Sequence, residues 1–134
     1  MNEFQLQIVT PDGLMFDGNA QKIIVRTTEG DVGILPNHIN YVAPVDIGVA
    51  KITTSDGQRF ASCAGGLITV SENEVKLVAS TFEWADDIDV ARAEKARDKA
   101  QKRIKEKNIS DYELRLAQIK LKKALVRINA SANK

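Results

Sequence analysis

The rhythm of apolar and polar positions changes once along the chain, near residue 85. Before it, Phe4, Leu6 and Ile8 alternate with Glu3, Gln5 and Gln7, and Lys22-Ile23-Ile24-Val25-Arg26 and Val75-Lys76-Leu77-Val78 are alternating or β-branched. A period of two buries one face of a strand. Turn signals punctuate this part repeatedly, at Pro11-Asp12-Gly13, Asp17-Gly18-Asn19, Glu29-Gly30-Asp31, Ser55-Asp56-Gly57, Gly65-Gly66 and Glu72-Asn73-Glu74. Asp56-Gly57, lying between Val49 to Thr53 and Arg59 to Cys63, predicts a two-residue type I′ hairpin, which needs positive φ at both central positions. The pattern predicts roughly eight to ten short strands over residues 1–85, packed antiparallel as a β-sandwich or flattened barrel.

From residue 86 to 134 the period is helical. Asp86-Asp87 and Ile88-Asp89 place carboxylates where a helix begins, capping free N–H groups and offsetting the dipole. That helix is expected to run to about Lys107, where Asn108-Ile109-Ser110-Asp111 breaks it. Ser110 with Glu113 is a capping box for a second helix reaching about Asn129. So short a connection makes the helices antiparallel neighbours, and the fold class is α+β. Ala93, Ala96, Ala100 and Ile104 form a narrow inner stripe on the first helix, and Leu114, Ala117, Leu121, Ala124, Leu125 and Ile128 its complement on the second. So little large apolar area barely offsets the entropy of ordering the hairpin, so a ligand that prefers one hairpin state can switch its population.

Composition sharpens the division. All eight glycines and all three prolines of the 134 residues lie within the first 66, and six of seven aromatics precede position 85. A cut after Ala85 separates 5 basic and 10 acidic residues, a net −5, from 14 basic and 8 acidic, a net +6. The formal charge of +1 hides both. Arg92, Lys95, Lys99, Lys102 and Arg103 line the first helix and Lys120, Lys123 and Arg127 the second, at helical spacing. A solvated face explains such stripes, and so does an anionic partner, either phosphates or an acidic protein surface. Nucleic acid fits less well, since Tyr112 is the hairpin's lone aromatic for stacking on bases.

No apolar run approaches the ~20 residues that span a bilayer, so no direct membrane insertion is expected. The first residues lack the basic and apolar regions of a signal peptide, and the single Cys63 suits a reducing compartment, so a cytosolic location is expected. With His38 as the only histidine and no C-x-x-C pair, no metal site is expected. A small hydrolase would need His38 as base with Cys63 or a serine as nucleophile, and neither nucleotide-cradling glycine motif is present. Cys63 reads instead as a small buried residue. Gly30-Asp31-Val32-Gly33-Ile34-Leu35-Pro36-Asn37-His38 is too long for a hairpin turn, and its apolar residues either cover an open end of the sandwich or form a docking edge.

Several motifs in order carry a resemblance over essentially the whole chain. Val9-Thr10-Pro11-Asp12-Gly13, Gly30-x-x-Gly33-Ile34-Leu35-Pro36-x-His38, Gly65-Gly66 and Ile88-Asp89-x-x-Arg92-Ala93 closely resemble the epsilon-subunit family of bacterial F-type ATP synthases. The resemblance implies a non-catalytic rotor subunit of the F1 central stalk, peripheral on the cytoplasmic face of the bacterial plasma membrane. Its sandwich would dock on the gamma subunit and the c-ring, through Asp31, Val32, Gly33, Ile34, Leu35, Pro36 and His38. Its hairpin would fold against the sandwich or extend toward the catalytic alpha and beta subunits and block ATP hydrolysis, with Lys120, Lys122, Lys123 and Arg127 facing acidic segments. No cofactor is required, but some members of the family bind regulatory ATP, with or without Mg, on the folded hairpin. Glu83, Ile88, Asp89, Arg92, Ala93 and Arg127 match that site, Arg127 after a one-residue adjustment. Lys99 and Lys123 replace two family arginines, keeping charge without bidentate geometry. Asn40 stands where the family often has proline. The alternative function is a free-standing adaptor whose basic helices bind RNA or an acidic protein.

Overall fold

The computed structural model describes residues 2–133, so the outermost residue of each expected unit lies outside the described residues. Eight strands come first: β1 (Phe4–Thr10), β2 (Gly13–Ala20), β3 (Lys22–Thr27), β4 (Gly30–Ile34), β5 (Tyr41–Pro44), β6 (Gly48–Thr54), β7 (Gly57–Ser71) and β8 (Glu74–Trp84). A 3-10 turn at Ala85–Asp87 leads to α1 (Val90–Ile104) and α2 (Asp111–Ser131). The strands follow the order β2-β1-β8-β7-β6-β3-β4, with β5 beside β7. Every pair is antiparallel except β1 with β8, which lie parallel and in register from Gln5↔Glu74 to Val9↔Val78. The sheet is therefore mixed, where alternation alone led to an antiparallel one.

Three hairpins share one turn. Thr10, Thr27 and Thr54 each pair with a glycine three residues on, and each hydroxyl oxygen accepts from the N–H two residues on, at 3.1, 3.2 and 3.1 Å. The glycines Gly13, Gly30 and Gly57 take φ of +127°, +110° and +118°. At Gly57 this differs from the expected type I′ turn, because Asp56 keeps negative φ and only the glycine turns left-handed. The type I′ geometry falls instead at Glu72-Asn73, with φ of +51° and +62°, inside the Ser71↔Glu74 pair.

β7 serves two neighbours in turn. Its first half pairs with β6 and its second with β5, while β8 runs along its other edge. Gly65 and Gly66, at φ +70° and +105°, carry it between them, and a Cβ on Gly66 would stand 1.8 Å from the Val78 carbonyl oxygen. Inward-facing residues from both halves fill one core, with Phe4, Leu6, Ile8, Ile23, Val25, Ile34, Ile52, Ile68 and Leu77 fully buried.

The helices follow the capping signals. The Asp89 carboxylate accepts from Arg92 N–H at 3.1 Å, and Ser110 Oγ from Glu113 N–H at 3.1 Å. α1 stops three residues short of the expected Lys107 and α2 continues two past Asn129. Ala93 and Ala100 are buried, as are Ala117 and Ala124 on α2, so small residues let the two backbones approach. Leu125 departs from its expected place in the inner stripe and is exposed, while Ala130 and Ser131 are buried beyond the expected helix end. Arg103 joins the helices near their turn by ion pairs to Glu106 and Glu113.

Candidate functional site

α2 lies across β6 and β7, and two ion pairs hold it there. Lys122 Nζ stands 3.6 Å from Asp46 Oδ2, while Arg127 donates to Glu83 at 2.8 and 3.3 Å. Five residues separate the two cations, about 140° around a helix, so they flank the line of contact. Between α2 and the sandwich remains a cleft of about 360 Å³, lined among others by Asp12, Ser62, Thr81, Glu83, Lys123 and Arg127.

A second cavity, of about 570 Å³, is the groove between α1 and α2. Lys99 and Arg103 line it from α1, and Glu113, Lys120, Lys123 and Arg127 from α2, over a floor of Ala96, Ala100, Leu116, Ala117 and Ala124. Arg103 is already paired with Glu106 and Glu113 and Arg127 with Glu83, while Lys99, Lys120 and Lys123 are the ammonium groups that line the groove, a donor set that suits a polyphosphate. Lys123 and Arg127 border both cavities.

The residues expected to bind ATP are divided by the fold. Lys99, Lys123 and Arg127 meet in the groove, and Glu83 reaches this constellation through Arg127. Arg92 lies on the same face of α1 as Ala96, Lys99 and Arg103, at spacings of 4, 3 and 4. Asp89 caps α1, while Ile88 and Ala93 are buried at its root. Arg103 and Lys120 line the groove without having been singled out for ATP, although the first belonged to the expected basic stripe and the second to the inhibitory set. Among the described residues no cluster of three or more His, Cys, Asp or Glu is placed to hold a metal ion.

The expected docking segment is only partly a loop. Asp31, Val32, Gly33 and Ile34 belong to β4, with Ile34 in the core and Asp31 paired to Arg26 at 2.7 Å. Ile34 therefore offers no docking surface, because its side chain completes the β3–β4 side of the sandwich. Leu35 is exposed, and Pro36 and His38 follow it around Asn37, whose φ is +63°. Asn73 ties this turn to the sheet by accepting from Asn37 N–H at 2.8 Å and donating to the Glu3 carbonyl at 2.9 Å. His38 makes an edge contact with Tyr41, and Ile39 beside it is 77% exposed.

A larger face escaped the sequence reading. Pro44, Leu67, Val78, Val9 and Leu14 stand opposite one another in register across β5, β7, β8, β1 and β2. Leu14, Leu67 and Val78 are about half exposed, and Val42 adjoins them at 67%. The signal lay in outward positions of strands whose inward positions were already apolar, visible only once the register is known. Cys63 faces the core, and burial pushes its thiol from 9.0 up to about 12. Among the described residues no helix is long and apolar enough to cross a membrane.

Comparison with known proteins bears on both parts of the chain. Residues 3–85 match the family model described as ATP synthase, Delta/Epsilon chain, beta-sandwich domain, and residues 86–132 that of the Delta/Epsilon chain long alpha-helix domain. An ATP synthase epsilon chain of Exiguobacterium sp. is 39% identical over 96% of both chains. One from Lacticaseibacillus casei is 41% identical over 98% of this chain and 96% of that one. One from Ruminococcus albus is 39% identical over 100% of both. The fold resembles a chain of the Euglena gracilis mitochondrial ATP synthase OSCP/F1/c-ring assembly, with TM-score 0.84 at 18% identity, over 100% of this chain and 83% of that one. It also resembles a chain of the Tetrahymena thermophila central stalk/c-ring, with TM-score 0.62 at 15% identity and 95% of each chain covered. With both parts matched in order and relatives near two-fifths identity over nearly full length, the chain belongs to the delta/epsilon chain family of ATP synthases.

Proposed function

We propose that this chain is a non-catalytic rotor subunit of the F1 central stalk whose sandwich joins gamma to the c-ring and whose hairpin is an inhibitory latch sensitive to ATP. The observation that carries this reading is the exposed apolar row across five strands, on the part of β7 that the hairpin leaves open. Exposed apolar side chains in one contiguous row suit a protein partner. Gamma is assigned to this row, and the c-ring to the turn carrying Leu35, Pro36, His38 and Ile39. The chain would thus sit at the cytoplasmic face of the plasma membrane through the ring, without entering the bilayer.

The hairpin's anchorage supports the latch. α2 is held by two partly exposed ion pairs, an attachment of modest strength that a competing acidic surface is able to replace. When extended, Lys120, Lys122, Lys123 and Arg127 meet acidic segments of the catalytic subunits. ATP favours the folded state by supplying phosphates to Lys99 and Lys123, beside Arg127, which keeps its pair with Glu83, with Arg92 on the same helix face and Lys120 across the groove. Its binding energy shifts the population only as far as it prefers that state.

Removal of residues after Asp87 tests the latch: the truncated subunit should still assemble with gamma, and the complex should hydrolyse ATP faster. Unchanged hydrolysis under several nucleotide conditions would reject the latch. Calorimetric titration of the full chain with ATP, beside Arg92→Ala, tests the sensor, and no heat at millimolar ATP would reject it.

A further inference from the structure

The two anchoring carboxylates are placed differently from an incidental surface pair. Asp46 lies between β5 and β6, where its N–H donates to the Arg26 carbonyl at 2.8 Å and its Oδ1 accepts from Ile47 N–H at 2.7 Å. Gly48, two residues on, packs so closely that a Cβ there would stand 2.4 Å from that of Arg26. The segment is thereby fixed, and the remaining oxygen, Oδ2, faces Lys122. On the other flank of α2, Glu83 near the end of β8 engages Arg127 through both oxygens.

We propose that Asp46 and Glu83 form an internal decoy, a built-in imitation of the acidic partner surface that competes for the hairpin's cations. Lys122 and Arg127 are two of the four cations assigned above to inhibition, and in the folded chain both are occupied by the sandwich's own carboxylates. Folded and extended states are then mutually exclusive for a stated reason: each ammonium or guanidinium satisfies one set of carboxylates at a time. Asp46 is the positioning residue of this device, acting through Lys122. The proposal rests on the inhibitory reading for its partner, while the decoy contact itself belongs to the isolated chain.

Two measurements test it. Asp46→Asn keeps the Oδ1 acceptor for Ile47 and removes the charge. In native-state hydrogen exchange of the full isolated chain at low salt, Asp46→Asn and Lys122→Gln should each speed exchange in residues 111–131 by about two- to five-fold, the range of a partly exposed pair. β7 and β8 should exchange as before. The double variant should go no further than either single one, and 0.5 M salt should erase the difference. Additive effects, or none, overturn the proposal. In the assembled complex Asp46→Asn should strengthen inhibition of hydrolysis, and unchanged inhibition beside a responsive isolated chain also overturns it. A wild-type complex with no hairpin-dependent inhibition would instead count against the function proposed above, a separate outcome.

Discussion

Arg127 of α2 reaches across to β8 and donates from Nε and Nη2 to the two carboxylate oxygens of Glu83, at 2.8 and 3.3 Å. Both side chains are about 30% exposed, so water screens the pair only in part. Arg127→Ala leaves the carboxylate half-buried without its partner. This should loosen the docked hairpin by about 1–2 kcal/mol. The measurement is exchange protection of α2 amides, with the β-strand amides as internal reference.

Glycine at position 66 should tolerate no side chain. Gly66→Ala combines a positive φ with a Cβ placed 1.8 Å from a carbonyl oxygen, and should cost more than about 3 kcal/mol in urea unfolding. Gly13→Ala, with φ +127° but open space around it, should cost less, about 1–3 kcal/mol from backbone strain alone. Equal losses at the two sites would show that backbone strain alone, and not the close strand approach, decides the outcome.

Cys63 should resist alkylation in the native state, because the uncharged thiol faces the core. Its raised value also sets a sign for alkaline stability. Between pH 9 and about 12 the unfolded thiol loses its proton while the folded one keeps it, so stability falls as pH rises. Cys63→Ala should flatten that decline in urea melts recorded from pH 8 to 11.

Polar substitution on the exposed row should separate docking from folding. Leu67→Lys and Val42→Lys each alter an outward position, so unfolding free energy should move by no more than about 0.5 kcal/mol. Copurification with gamma should nevertheless weaken at least ten-fold for the pair, since a charge would be buried in the proposed contact.

Lys99→Arg with Lys123→Arg should tighten ATP binding, as guanidinium planes meet phosphate oxygens in a bidentate way that ammonium groups do not. Titration calorimetry would read the change, and weaker binding would show that the groove prefers point charges.

Much of the fold was legible in the residues because its signals are local. Asp89 and Ser110 announce the helix starts by cap chemistry, and the alternation of Phe4, Leu6 and Ile8 gives β1 its buried face. The parallel partner of β1 was not legible, since no local pattern distinguishes pairing with β8 from pairing with another strand. Ile34 was ambiguous for the same reason: its burial depends on which strands lie beneath it. At the candidate site, the basic spacing located Lys99, Lys123 and Arg127, but assigning them to a groove required the helix crossing. Asp46 gave no sequence signal at all. Its role exists only through a partner 76 residues away, Lys122.

The β1–β8 pairing has a consequence for the order of synthesis. β1 is made first but gains β8 as its neighbour only after residues 74–78 have been added, so its edge stays open while most of the sandwich is translated. Contacts of this sequence separation are slow to form, whereas the hairpin that follows is built from nearby residues. The nascent chain thus spends its longest vulnerable interval as an incomplete sheet, and the net-positive helices emerge only when the last strand is ready to close it.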